Sequence, residues 1–243
     1  NTTTTYTDNN ADSTLGDEVE TDNDAPPTSK FLASHKNIMF YAGNTSAPKR
    51  LYFSKIGNPE HVPTLTHFID VPVPGDEITG IASLNEGLLV FTNQAFYILT
   101  GASVDTFRFR IVEANIGATA SNAICVFNGA CYFLHHSALY RTYGGAAIYL
   151  SDNVDDQWVP SLLANRREAR MIVHEKRLLI YFFLGSTAYA SKSGAADDTA
   201  ANNRIWMLDL VLFEQAEEEL QTCWAEWTNH FHNVWVVANG PSQ

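Results

Sequence analysis

The sequence has few cysteines, few charged residues and no long apolar run. No apolar stretch approaches the roughly 18 residues that a membrane-spanning helix needs, so we expect no transmembrane segment. Three cysteines in 243 residues are too few for the disulfide framework of a small secreted domain. Charged residues make up 17% of the chain and apolar residues 45%. This composition is typical of a globular chain that buries a sizeable core.

Basic residues are scarce, because 15 Lys and Arg stand against 27 Asp and Glu, for a net charge of −12. Nucleic-acid-binding proteins generally place clustered Lys and Arg against phosphates. The densest basic cluster here, residues 166–170, is interpreted as a solvated turn and strand edge. An acidic surface instead repels DNA, a property that suits a conduit through which DNA slides without sticking.

Catalytic signatures are also missing from the sequence. We find no glycine-rich phosphate loop, no Gly-x-Ser-x-Gly turn and no Cys–His nucleophile motif. Acidic residues are scattered, so no carboxylate pair for glycoside hydrolysis can be identified. Ser151–Trp158 resembles the Asp-box turn of sialidase propellers, but Asn153 and Asp155 replace the Asp and Gly of that motif. We therefore predict that the chain is not an enzyme and has no catalytic residues and no cofactor.

Three groups of residues could supply metal ligands, and none has a complete set. His135 and His136 are adjacent and are predicted to lie on an exposed turn. His230 and His232 could share one face of a strand, but no third ligand has a compelling position. Asp152–Asp156 lacks the glycine and the distal Glu of a calcium loop and is interpreted as a polar turn. We predict no metal site.

What the sequence does contain is a repeat of strand, tight polar turn and second apolar strand. The turns lie at Asn37, Gly87, Gly129, Lys176 and Asn233. Their spacing of about 42 to 57 residues is that of one four-stranded β-propeller blade. Aromatic and β-branched residues dominate the apolar runs, and helical periodicity is almost absent. The sequence therefore predicts an all-β fold, a β-propeller or an arc of its blades, built of four-stranded antiparallel sheets.

The repeat divides the chain into units of unequal completeness. Two consecutive complete units are predicted, from Ile78 to Val112 and from Ala123 to Leu150. The unit before them (Ile38 to Val73) is predicted to be partial, and the unit from Arg170 is expanded by insertions at 185–203 and 213–220. The second insertion is predicted to form a short acidic helical turn. Because about four blades and a fragment are counted, we expect the chain to be part of a longer one.

One hairpin can be predicted residue by residue. Asn128-Gly129 is a two-residue turn, which places Phe127 opposite Ala130, Val126 opposite Cys131 and Cys125 opposite Tyr132. Because side chains alternate along a strand, the two thiols point to opposite faces of the sheet. We therefore predict buried free cysteines, including Cys223, consistent with a reducing compartment during assembly.

The first 29 residues differ in composition from the rest. They are rich in Thr and Asn, end near Pro26-Pro27, and contain seven acidic residues (Asp8, Asp12, Asp17, Glu18, Glu20, Asp22 and Asp24). Such a segment has too little apolar surface to offset its ordering entropy. We predict an extended acidic arm at 1–29 and blades from 30 to 243. The expected docking site of the arm is an adjacent subunit, and folding back onto its own blade is the alternative.

A continuous stretch of about 100 residues resembles a known protein family. The segments that carry the resemblance follow one another in the same order as in that family: Arg50–Glu60, Phe68–Val71, Gly75–Ile81, Leu88–Phe91, Phe96–Gly101 and Asn128–Tyr140. The family comprises the nozzle or hub (tail tubular) proteins in the tails of short-tailed bacteriophages. The inserted loops and the acidic arm depart from its pattern.

The resemblance implies a structural virion protein of the phage tail, assembled in the host cytoplasm. Such proteins form homo-oligomeric rings, hexamers by the resemblance, below the portal and adaptor. The ring surrounds the DNA-exit channel, contacts adaptor and fibre proteins, and passes DNA without binding it specifically. Two alternatives from other classes stay open at this point: a carbohydrate-binding or carbohydrate-active propeller, and a monomeric surface-binding propeller.

Overall fold

The protein is built from four consecutive four-stranded antiparallel sheets, each with its strands in chain order. The computed structural model describes residues 22–72, 77–136, 138–152, 169–183, 202–215 and 223–228. Sheet one contains β1 (Phe31–His35), β2 (Ile38–Ala42), β3 (Arg50–Phe53) and β4 (Phe68–Asp70). Sheet two contains β5 (Ile78–Ser83), β6 (Leu88–Thr92), β7 (Ala95–Thr100) and β8 (Arg108–Ala114).

The second half of the chain repeats this arrangement. Sheet three contains β9 (Ile124–Phe127), β10 (Ala130–His135), β11 (Ala138–Thr142) and β12 (Ile148–Tyr149). Sheet four contains β13 (Arg170–His174), β14 (Arg177–Phe183), β15 (Asn202–Asp209) and β16 (Trp224–Thr228). A short helix, α1 (Leu210–Gln215), follows β15. No helix in the described ranges is long and apolar enough to cross a membrane.

The sheets stack as neighbouring blades. Three hydrophobic clusters of buried side chains lie between sheets one and two, two and three, and three and four. The first strands of the sheets also contact one another in chain order, β1 with β5, β5 with β9, and β9 with β13. Within the described residues, none of these clusters joins sheet four to sheet one. The predicted all-β propeller fold is confirmed.

Turn chemistry explains why three sheets begin with the same hairpin. Both central residues have positive φ in Lys36-Asn37, Asn128-Gly129 and Glu175-Lys176. Positive φ at both positions defines the type I′ turn, whose twist matches that of the paired strands. The predicted pairing around Asn128-Gly129 is confirmed at every residue.

The cysteines behave as the hairpin register requires. Cys131 belongs to the cluster between sheets two and three, whereas Cys125 packs against the cluster between sheets three and four. All three cysteines are free. Burial raises the pKa of the Cys125 thiol to about 12 and that of Cys131 well above its usual value. Both thiols therefore stay protonated and unreactive at neutral pH.

Some sequence-based expectations need correction, and others concern residues outside the described ranges. Sheet one is complete, because β1 pairs with β2 ahead of the predicted start at Ile38. Helix α1 begins at Leu210, before the predicted 213–220, because the Asp209 carboxylate accepts hydrogen bonds from the Val211 and Leu212 amides and caps it. The predicted insertion at 185–203 ends earlier, because β15 begins at Asn202, and its residues 185–201 lie outside the described ranges. Residues 1–21, residues 216–220 and the turn at Asn233 also lie outside them.

Candidate functional site

A cavity of about 220 Å³ lies where the first strands of three consecutive sheets begin. Sheet one contributes the start of β1 and the turn after β2, sheet two the start of β5, and sheet three the residue Ser121 just before β9. The cavity is thus made only when three blades are packed side by side. Its lining includes Lys30, Phe31, Pro48, Glu77, Thr79 and Ser121.

The sheet-one wall is fixed by local hydrogen bonds. Asn44 donates through Nδ2 to the Thr28 carbonyl (2.9 Å), and its Oδ1 accepts from the Ser46 and Ala47 amides (2.8 and 3.1 Å). The Ile78 amide donates to the Pro48 carbonyl (2.9 Å), which ties the start of β5 to the same loop. Because these groups satisfy one another, the wall is preformed.

Thr79 occupies a β-bulge on the opposite wall. In the β5–β6 register Ile78 lies opposite Thr92 and Gly80 opposite Phe91, so Thr79 is the extra residue. A bulge re-aims a side chain away from the regular alternation of the strand. Thr79 is 5% exposed, and among the described residues its Oγ1 has no hydrogen-bond partner.

Among the described residues that line the cavity, the positive and negative charges balance. Lys30 and Glu77 are both exposed residues of the lining, one of each sign. The remaining polar lining is neutral, with hydroxyl and amide groups beside the apolar Phe31, Pro48 and Ile78. The site therefore offers hydrogen bonds and apolar contact without a strong preference for an anion or a cation.

His135 was predicted to be exposed, and this is wrong. It is the last residue of β10, pairs with Ala138 and is 9% exposed, because the strand extends one residue further than expected. The Gly117 amide donates to its Nδ1 (3.3 Å). His136 is exposed in the turn, as predicted, with its ring 4.0 Å from that of His135.

Burial lowers the pKa of His135 to about 4, with the neighbouring His136 contributing to the shift. Burial also lowers the pKa of His35. In the folded state the His35 and His135 side chains therefore stay neutral to a lower pH than usual. In the unfolded chain the same side chains take up protons below about pH 6.5. The free energy of unfolding is thus expected to fall by up to about 3 kcal/mol from pH 6.5 to pH 4 through His135 alone.

Urea denaturation at a series of pH values measures this effect. A His135→Gln variant is expected to lose the His135 part of this dependence and to keep the part due to His35. His136→Gln, altered at the exposed neighbour, is expected to keep most of the dependence, because burial is the largest cause of the His135 shift. Equal pH dependence in the wild type and the His135→Gln variant would contradict the assignment.

An ion pair between Arg50 and Asp70, with the guanidinium packed on the Phe68 ring, holds the start of the first family-like segment, Arg50–Glu60. Arg50 donates through Nε and Nη2 to the two oxygens of Asp70 (2.7 and 2.9 Å). Its guanidinium lies 3.7 Å from the centre of the Phe68 ring and 5.9 Å from that of Tyr52. The paired Arg50 lowers the pKa of Asp70. This contact joins β3 to β4 and so fixes the outer edge of sheet one.

The described end of the arm docks on its own blade. Asp22 bonds to Lys55 and to the buried His61, whose Nε2 is 3.0 Å from Oδ1. The Asp24 carboxylate accepts hydrogen bonds from the Thr64 amide (2.9 Å) and hydroxyl (2.6 Å). The backbone of Asp24 also pairs with that of Val62 in an isolated antiparallel β-bridge. For this part of the arm, the alternative of folding back onto its own chain is therefore the one observed.

In the described part of the chain, the residues considered as metal ligands do not form a metal-binding group. No group of three or more His, Cys, Asp or Glu side chains there is arranged to hold a metal ion. His230, His232 and residues 153–158 lie outside the described ranges. Sequence reasoning missed the cavity altogether, although Thr79-Gly80 at a strand start is a signal compatible with a bulge.

Comparisons with known proteins give structural neighbours and no sequence relative. No family model and no curated protein matches the sequence. The N-terminal domain of Nup159 is similar in structure, with a TM-score of 0.38 and 10% identity over 76% of this chain. A complex of S. cerevisiae Dbp5 with Nup159, Gle1, IP6 and ADP gives a TM-score of 0.32 and 11% identity over 76% of this chain. The chain spans 53% and 58% of these two structures' chains.

Proposed function

We propose that this chain is a structural virion protein of a short-tailed bacteriophage tail, part of the nozzle or hub ring. The ring is a homo-oligomer, a hexamer by the family resemblance, and forms a wall around the DNA-exit conduit. Its outer surface is a platform for the adaptor and for fibres or receptor-binding proteins. The single observation that supports this most is the ordered series of family-like segments through sheets one to three.

Those segments coincide with the elements that build the blades. Arg50–Glu60 begins with β3, Phe68–Val71 contains β4, and Leu88–Phe91 lies in β6. In the first segment, Arg50 contacts Asp70 and Phe68 and so joins β3 to β4. A motif made of blade-forming residues fits a protein whose work is mechanical.

The proposed mechanism is mechanical and electrostatic, with no bond broken. Closely packed blades give a stiff wall, because a packed core resists deformation. The net charge of −12 disfavours attachment of DNA, whose phosphates bear the same sign, so DNA passes without specific binding. Stacked sheets also leave their loops free for contacts with other tail proteins.

The arm has a proposed role between subunits. Residues 22–24 are anchored on the first blade, and the chain has 21 residues before them. We assign to those 21 residues a contact with the adjacent subunit, which would hold neighbouring copies in the ring.

Light scattering coupled to size-exclusion chromatography tests this assembly. The full chain is expected to form particles several times heavier than its 27.0 kDa mass. A variant lacking residues 1–21, which keeps the Asp22–Asp24 anchor, is expected to form a weaker ring that dissociates on dilution, with an unchanged circular dichroism spectrum. A lone 27.0 kDa particle at all concentrations would contradict the ring, and an unchanged ring in the truncated variant would contradict the role of the arm.

A further inference from the structure

We propose that residues 229–243 of this chain pack on the free face of sheet four, the face turned away from sheet three. The observation that points to this face is a row of four apolar residues across its strands: Ile172, Leu179, Met207 and Ala225. The proposed segment is extended, with the Trp235 side chain over the row. This inference does not rest on the tail assignment, because it concerns packing within one chain.

The strand register of sheet four separates its side chains into two faces. Ile172 lies opposite Leu179, Leu179 opposite Met207, and Met207 opposite Ala225, so the four side chains share one face. The alternate positions point the other way, into the cluster between sheets three and four, which contains Met171, Leu178 and Leu208. None of the four residues of the row belongs to a cluster between sheets.

The corresponding face of each earlier sheet is covered by the sheet that follows it. On the second strands of sheets one, two and three, the residues Phe40, Phe91 and Leu134 are each 0% exposed and lie in the cluster with the next sheet. Leu179 on the second strand of sheet four is only partly buried. Because burial of an apolar row is favourable, we expect a further segment to cover it.

The position of residues 229–243 in the chain brings them to this face. Strand β16 ends at Thr228, so the segment starts at the edge of sheet four itself. Residues 229–233 can span up to about 17 Å, which exceeds the distance of about 10 Å between packed sheets. The apolar run Val234-Trp235-Val236-Val237 follows them directly.

The composition of the segment fits the row. A methionine thioether packs favourably against an aromatic ring, and the small Ala225 beside Met207 leaves room for the large side chain of Trp235. Two other segments next to sheet four are less suitable in composition. Residues 185–201 are mostly small and polar, and residues 216–220 contain three consecutive glutamates.

Methionine oxidation by dilute hydrogen peroxide, followed by mass spectrometry, tests the proposal on the full chain. The sequence has three methionines: Met207 in the row, Met171 on the face toward sheet three, and Met39 in sheet one. Oxidation of a methionine follows its exposure. Removal of residues 229–243 is expected to raise the oxidation rate of Met207 about tenfold and to leave those of Met171 and Met39 unchanged.

A pair of tryptophan variants in the full-length chain keeps the test independent of the truncation. Trp235→Ser is expected to raise the oxidation rate of Met207 several-fold. Trp158→Ser is the matched control, because Trp158 belongs to the partly apolar segment 153–168 that joins sheet three to sheet four. It is expected to leave the Met207 rate unchanged.

Faster oxidation of Met207 alone, in the truncated chain and in Trp235→Ser, supports the proposal. An unchanged Met207 rate in either of them would overturn it, and a faster rate in Trp158→Ser would assign the face to 153–168 instead. A joint rise of Met171 and Met207 would mean that the segment supports the whole sheet rather than its free face. Faster Met207 oxidation on dilution of the wild type would assign the cover to a second copy. The mass of the assembly is measured separately, so these outcomes leave the ring untouched.

Discussion

Replacing Phe133 with alanine is expected to lower the free energy of unfolding by about 4 kcal/mol. Phe133 is fully buried between sheets two and three. Its ring centre lies 4.9 Å from that of Phe91, 5.4 Å from that of Phe96 and 5.8 Å from that of Tyr140. Truncation removes the buried ring and leaves a cavity between two blades that the stacked neighbours cannot fill. Urea denaturation followed by tryptophan fluorescence measures the loss.

A valine on the neighbouring strand provides the control. Val126 lies opposite Cys131 in the same sheet and is 44% exposed. Val126→Ala is therefore expected to change the free energy of unfolding by about 0.5 kcal/mol or less. If Phe133→Ala were no more harmful than Val126→Ala, the packing of sheet two on sheet three would be wrong.

Replacing Gly117 with alanine is expected to lower the free energy of unfolding by about 3 kcal/mol. A Cβ on Gly117 would lie 2.2 Å from the Thr92 carbonyl oxygen and 2.7 Å from the Ala95 amide nitrogen. Both are backbone atoms of the β6–β7 turn, so no side chain can move aside. The shift would also disturb the Gly117 amide that donates to His135.

Gly145→Ala is the matched glycine control. Apart from Gly145 itself and its two chain neighbours, no described heavy atom lies within 4 Å of a Cβ at Gly145, and its φ lies outside the left-handed region. Its effect is expected to stay within about 0.5 kcal/mol. Equal melting temperatures for the two alanine variants would contradict the close approach of the sheet-two to sheet-three connection to the β6–β7 turn.

Local sequence chemistry was enough to predict the blades. Asn128-Gly129 fixed a hairpin register because a two-residue turn allows one pairing, and that register placed Cys125 and Cys131 on opposite faces. The expanded unit predicted from Arg170 corresponds to sheet four, whose first strand, β13, begins at that residue. Periodicity and turn residues are local properties, so the sequence displays them directly.

The features that were missed depend on how elements meet. Strand β1 mixes small, polar and apolar residues, and its pairing with β2 rather than its own pattern makes it a strand. The burial of His135 follows from one additional strand pair, which no turn rule specifies. The start of α1 is different, because a local signal for it was present and was missed: Asp209, a residue type that caps helices, precedes an apolar run.

The candidate site could not be predicted, because three blades contribute to it. Lys30, Thr79 and Ser121 are far apart in sequence and meet only when β1, β5 and β9 lie side by side. Even the bulge at Thr79 is defined by its partner strand, since the extra residue is counted against β6. Stacking order, rather than composition, creates the cavity.

Electron cryomicroscopy of the purified assembly tests the central claim most directly. The expected map shows several copies around a common channel, each with four-stranded sheets standing side by side in chain order. A map in which the stretch from β5 to β12 forms a single two-sheet sandwich, or in which only isolated single copies are present, would contradict it.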